Sequence, residues 1–171
     1  MVKVTPVMCK VAICPGSFDP ITNGHLNIIE RGLKIFDKLI VAVAINTTKK
    51  PIFEAGERLE MLKEIYKNSK HVEVDSFEGL LVEYAKKRGV KAILRGIRNM
   101  SDYEYESQLV LANKTLDPDI EFIYMMTEGQ YAHLSSSIIK EVITFGGSGH
   151  GMIHPIVEKK LREKLRAERP V

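Results

Sequence analysis

Short apolar runs alternate with stretches of helical spacing along almost the whole chain, and few architectures accept that pattern. Strands are expected near Met8 to Ile13, Lys38 to Ile45, Val72 to Ser76, Val90 to Leu94 and Ile120 to Tyr124. Helical spacing fills the gaps at Gly24 to Phe36, Ala55 to Lys67, Leu80 to Arg88 and Ser101 to Thr115. The fold class that follows is α/β: a doubly wound, parallel, five-stranded sheet with helices on both faces and right-handed crossovers. Ligands bind such sheets beyond the carboxyl ends of the strands. Polar clusters follow four of the strands, at Pro15 to His25, Thr47 to Pro51, Arg95 to Arg98 and Tyr131 to Ser137, so they are expected to converge.

Local punctuation refines this layout. Ser101-Asp102-Tyr103-Glu104 matches a capping box, which sets the Arg95 to Arg98 turn just before a helix. Ser135, Ser136 and Ser137 offer an N-cap to a helix running to Phe145. Gly146-Gly147-Ser148-Gly149-His150-Gly151 has no strand before it and no lysine after it, and reads as a flexible connector. Beyond it Val157, Leu161 and Leu165 form an apolar stripe on a charged helix. Residues 1–171 are therefore expected to form a single domain with a C-terminal helical extension from about residue 152.

The net charge is +3, and the tail after Pro155 carries that whole excess, with six basic residues against three glutamates. The balanced remainder suits small anionic substrates rather than nucleic acid. Cys9 and Cys14 are the only cysteines and read as reduced, packed thiols, which implies a cytoplasmic setting. The longest apolar run, Leu39 to Ile45, is too short to cross a bilayer, and the first residues lack the apolar core of a signal peptide.

Cys14-Pro15-Gly16-Ser17-Phe18-Asp19-Pro20-Ile21-Thr22-Asn23-Gly24-His25 joins the first strand to the first helix. Such a junction offers backbone N–H groups and the positive end of a helix dipole to an anion, with Ser17 and His25 as added donors. Neither G-x-x-x-x-G-K-[ST] nor G-x-G-x-x-G occurs in the chain. Thr22-x-Gly24-His25 instead resembles the H-x-G-H signature of the nucleotidyltransferase superfamily, with Thr22 at the first histidine. The whole run resembles the phosphopantetheine adenylyltransferase family, enzymes of coenzyme A synthesis. The resemblance extends from Ile13 to about Val142 and implies the Rossmann-like nucleotidyltransferase fold.

That resemblance implies roles for residues whose bare chemistry leaves other readings open. Lys49-Lys50-Pro51 alone is a solvated basic turn; in the family the first lysine, Lys49, binds the phosphate of the pantetheine substrate. Arg95-Gly96-Ile97-Arg98 resembles an R-G-x-R turn in which Arg95 meets that phosphate while Gly96, Ile97 and Arg98 meet ATP. The guanidinium fork suits phosphate and stays charged. Glu106, otherwise an acid in an exposed first turn, is implied as an ATP contact through the nucleoside. Leu134-Ser135-Ser136-Ser137 and the residues after it resemble I-S-S-S-x-x-K-E, and the span Tyr131, Ala132, His133, Leu134, Ser135, Ser136 and Ser137 is implied to bind ATP together with Ser17, Phe18 and His25. Leu80 and Leu81 match contacts to the pantetheine arm. Departures are small: Cys14 and Tyr131 stand where aromatic variation is expected, and Ser17 stands where threonine is also found.

The implied reaction transfers the adenylyl group of ATP to 4′-phosphopantetheine, giving dephospho-coenzyme A and pyrophosphate, with Ser17, His25, Lys49 and Arg98 as catalytic residues. Mg2+ is the implied cofactor, bridging phosphate oxygens through water and substrate, with no protein ligands assigned. Family membership further implies a homohexamer with coenzyme A as feedback inhibitor, and no membrane or nucleic-acid partner. Two other readings remain: a cytidylyltransferase or nicotinate-type adenylyltransferase of the same superfamily, and a non-catalytic adenine-nucleotide sensor.

Overall fold

A computed structural model describes residues 10–45 and 50–167. Five strands, β1 (Val11–Gly16), β2 (Lys38–Ile45), β3 (Val72–Glu78), β4 (Ala92–Ile97) and β5 (Glu121–Met126), form one parallel sheet in the order β3-β2-β1-β4-β5. Helices α1 (Asn23–Gly32), α2 (Ala55–Ile65), α3 (Leu81–Arg88), α4 (Met100–Leu116), α5 (Ser136–Thr144) and α6 (Pro155–Ala167) complete the chain, with a 3-10 turn at Gly129–Tyr131. The doubly wound five-stranded fold expected from the alternation is the one observed.

Side chains that alternate along each strand feed two separate cores. Ala12, Cys14, Leu39, Val41, Val43 and Leu94 pack against Ile28 and Ile29 of α1, Met61 and Leu62 of α2, Ile139 of α5, and Val157 and Leu161 of α6. On the other face Ile13, Ile40, Ala42 and Ile93 pack against Val82, Tyr84 and Ala85 of α3. Covering on both faces explains why β2 reads as one uninterrupted apolar run. Gly32 lets α1 sit directly on this sheet, since a Cβ there would lie 2.5 Å from Leu94 and 2.9 Å from Leu39.

Several element ends differ from expectation. The first helix stops at Gly32, and the chain turns through Ile35 N–H to Gly32 O before Phe36 enters the core. Strand β4 continues to Ile97, because Arg95, Gly96 and Ile97 pair with Tyr124, Met125 and Met126. The Arg95 segment is thus strand rather than turn. The Ser101–Glu104 capping box does not form: Asn99 caps α4, its side chain accepting from Asp102 N–H at 2.9 Å, and Ser101 lies inside the first turn.

The glycine cluster is a hydrogen-bonded connector. Gly147 N–H donates to Val142 O at 2.8 Å, Gly149 N–H donates to Glu158 at 3.0 Å, and Gly151 O accepts from the Asn23 side chain at 2.9 Å. Gly146 and Gly151 take φ of 87° and 75°, which glycine adopts without a Cβ clash. The connector returns α6 to the first core, where Val157 and Leu161 are wholly buried.

Candidate active site

The sheet order reverses between β1 and β4, and the crevice outside their carboxyl ends is where a ligand of this fold sits. A cavity of about 400 Å³ opens there. Three of the four expected clusters meet in its wall: Ser17, Phe18, Thr22 and His25 from the first loop, Arg95 and Arg98 from the end of β4, and Leu134, Ser135 and Ser136 at the start of α5. The fourth cluster includes Lys49, which lies outside the described residues.

Thr22 and His25 close a reciprocal cap on α1. The Thr22 hydroxyl oxygen accepts from His25 N–H at 3.3 Å, and His25 Nδ1 accepts from Thr22 N–H at 3.1 Å. Spending Nδ1 as an acceptor leaves the ring proton on Nε2. Burial pushes the imidazole pKa down to about 4, and the charges of Arg98 and Arg95 push the same way. His25 is therefore a neutral donor at physiological pH, with the Phe18 ring edge-on to it at 5.3 Å. Cys14 also lines the cavity, but burial raises its thiol to about 11, which keeps it protonated.

Both arginines are already gripped by α4. Arg95 Nε donates to Glu106 at 2.8 Å, Nη2 donates to the other Glu106 oxygen, and Nη1 donates to Pro15 O at 2.6 Å. Arg98 forms the corresponding fork with Asp102, Nε at 2.8 Å and Nη2 at 2.9 Å, while Nη1 reaches Leu134 O at 3.0 Å. These pairs orient the guanidinium planes at the cavity wall. Glu106 is buried, and its two oxygens are engaged by Arg95. Gly96 between the arginines admits α1, since a Cβ there would lie 2.8 Å from Ile28.

At α5, Ser135 is the N-cap, its hydroxyl oxygen accepting from Ile138 N–H at 3.1 Å. The Ser136 hydroxyl donates to Pro20 O at 2.8 Å, tying α5 to the first loop. Ser137 and His133 are exposed, and with Tyr131 and Ala132 they do not line the cavity. Ile97 is buried in the sheet. Leu81 packs on the α3 core and Leu80 is exposed at the helix cap, so neither reaches this cavity.

Sequence reasoning passed over residues that organise the site. Asp19, nearly buried, accepts from Ile52 N–H at 3.1 Å, Phe53 N–H at 2.9 Å and Lys140 Nζ at 3.3 Å, which joins the first loop to the segment after β2 and to α5. Asp102 carries a signal, its i, i+4 spacing from Arg98. Asp19 carries none, since Ile52, Phe53 and Lys140 are remote in sequence; Glu106 is implied by the resemblance as a nucleotide contact, and its pairing with Arg95 is what the structure adds.

The Cytidylyltransferase-like family matches residues 13–142. The chain is 54% identical over 156 residues to a phosphopantetheine adenylyltransferase of Desulfosudis oleivorans, covering 91% of this chain and 93% of that one. It is 53% identical over 157 residues to a phosphopantetheine adenylyltransferase of Caldanaerobacter subterraneus subsp. tengcongensis, covering 92% and 98%. A crystal structure from Vibrio parahaemolyticus, described as that of a nicotinate-nucleotide adenylyltransferase, superposes with a TM-score of 0.71 over 95% of this chain and 98% of that one. At 18% identity that likeness speaks for the fold alone. Over nine-tenths of its length the sequence follows the curated relatives, and the chain belongs to the phosphopantetheine adenylyltransferase family of nucleotidyltransferases.

Proposed function

We propose that the protein transfers the AMP moiety of ATP to 4′-phosphopantetheine, forming dephospho-coenzyme A and pyrophosphate. The observation that carries this reading is a cavity lined by two oriented guanidinium groups and a neutral histidine donor at the switch point of the sheet, in a chain of this family.

In the reaction a 4′-phosphate oxygen attacks the α-phosphorus of ATP, a P–O bond forms, the α–β bridging bond breaks and pyrophosphate leaves. A phosphomonoester has a second pKa of about 6, so the nucleophile is largely dianionic at neutral pH and needs no general base. The protein's task is to align two anions that repel each other and to stabilise the charge that builds in transfer. Lys49 and Arg95 hold the attacking phosphate. His25 Nε2–H and the Ser17 hydroxyl meet the reacting phosphates, and Arg98 with Ser136 holds the leaving side. Phe18, Gly96, Glu106 and Leu134 complete the nucleotide contacts at the cavity wall, whereas Ile97, Tyr131, Ala132, His133, Ser137 and Leu81 lie off this wall and enter the reading only through the family resemblance.

Among the described residues no group of three or more His, Cys, Asp or Glu side chains could hold a metal ion. The carboxylates beside the cavity, Asp102 and Glu106, are engaged by arginines. Mg2+ belongs to the same reading as part of the nucleotide substrate, where it would neutralise charge on the phosphates. The same reading includes a homohexamer, feedback by coenzyme A, which shares the pantetheine and adenylate parts of the product, and a cytoplasmic location. No helix among the described residues is long and apolar enough to cross a membrane.

Incubation with ATP, Mg2+ and 4′-phosphopantetheine should release pyrophosphate and yield dephospho-coenzyme A. Faster turnover with nicotinamide mononucleotide, or with CTP and glycerol 3-phosphate, would overturn the substrate assignment. ATP binding without turnover would favour a sensor.

A further inference from the structure

Arg58 of α2 is 4% exposed, and among the described residues it has no carboxylate partner. Its Nη1 donates to Ser17 O at 2.7 Å and to Ala44 O at 3.3 Å, while the buried Nε has no partner. An arginine does not escape burial by losing its proton. A buried guanidinium without a counter-ion is costly, and it keeps a full positive charge directly behind the first loop.

The bond to Ser17 O constrains the peptide that follows. The cis bond of this loop is Asp19–Pro20, so the Ser17–Phe18 peptide is trans and its C=O and N–H point to opposite sides. Arg58 lies outside the cavity wall, whereas Ser17 and Phe18 are part of it. Phe18 N–H has no hydrogen-bond partner among the described residues, although the residue is 2% exposed. Phe18 also takes φ of 48°, a left-handed conformation that an aromatic residue adopts only where its surroundings enforce it.

We propose that Arg58 is a positioning residue for polyphosphate binding: it draws the Ser17 carbonyl to the α2 side, so that Phe18 N–H faces the cavity as an anion donor with an unneutralised charge behind it. The inference rests on the reading of the cavity as a nucleoside triphosphate site.

The test uses the full chain and its Arg58→Lys and Arg58→Met variants. Inorganic tripolyphosphate and ATP, each with Mg2+, are titrated calorimetrically in the absence of the second substrate, alongside kcat, KM and thermal midpoints. Arg58→Lys keeps the charge on a side chain that ends one atom short of the Nη1 holding both carbonyls, and should weaken tripolyphosphate binding by about 10-fold, the scale of one hydrogen bond to a charged group. Arg58→Met should weaken it by about 100-fold and lower kcat at saturating ATP. The KM for 4′-phosphopantetheine should change less than about twofold in Arg58→Lys, because the donor serves the other substrate. Arg58→Lys with tripolyphosphate affinity within twofold of wild type would overturn the proposal, whatever its thermal midpoint. Unfolding of both variants would also overturn it and make Arg58 a structural residue. If the wild-type protein fails to adenylylate 4′-phosphopantetheine while the variants still lose tripolyphosphate affinity, the functional reading falls and the positioning role stands.

Discussion

The imidazole of His25 is held as a base that is hard to protonate, and stability and turnover depend on that differently. Its pKa of about 4 in the fold lies below the ordinary 6.5, so the folded chain takes up this proton less readily than the unfolded chain. The His25 contribution to stability is therefore complete above about pH 6.5 and is lost as pH falls toward about 4. Thermal midpoints across that range should drop with acid, and His25→Ala should remove part of the slope. Between pH 6.5 and 8 turnover should show no step from this imidazole. His25→Ala should lower kcat by about 100-fold, the usual loss for one preorganised donor, and cost about 1 kcal/mol of stability at pH 7.5 through the lost cap on Thr22 N–H. Near-normal kcat with weaker ATP binding would make His25 a ground-state ligand instead.

At the scale of elements, α6 supports the site helix from behind. In the connector just before it, Met152 O accepts from Asn23 N–H at 2.8 Å at the start of α1, and Lys164 of α6 pairs with Glu57 of α2 at 2.8 Å. Leu161 is fully buried in the core shared by α1, α2 and α5. Leu161→Ala should cost about 3 kcal/mol in denaturant titration, from lost burial and the cavity left behind. Because no α6 side chain lines the cavity, kcat measured well below the midpoint should stay within about twofold of wild type. A kcat collapse in a folded Leu161→Ala protein would show that α6 reaches the chemistry.

For the whole molecule, α4 is the element that a single chain leaves unfinished. Of its 17 residues only Glu106 is buried, while Met100, Tyr105, Leu111 and Leu116 are each more than half exposed. In the proposed hexamer this apolar surface is where a further copy of the chain would pack. Light scattering should give the mass of six chains, and Leu111→Asp should lower it. A monomer mass at micromolar concentration with full activity would refute the hexamer.

Strands and helices were legible because they depend on local periods, which a few neighbouring residues encode; Thr22-x-Gly24-His25 was legible as a signature, and its reciprocal cap on α1 only in the structure. The parallel direction of the strands followed from the alternation, whereas the order β3-β2-β1-β4-β5 and its switch point belong to the tertiary structure. Tertiary structure decided how the charges pair. Arg95 meets Glu106 and Pro15 O, Asp19 meets Lys140, and Arg58 meets Ser17 O only because loops from different strands converge. Those partners stand 11, 80, 121 and 41 residues apart, so no period or local motif announces them. The same holds for β4, whose last three residues read as a turn alone and became strand by pairing with β5. Residue types named the chemistry near His25 and the arginines, whereas the orientation of each donor depends on contacts that exist only once the sheet has formed.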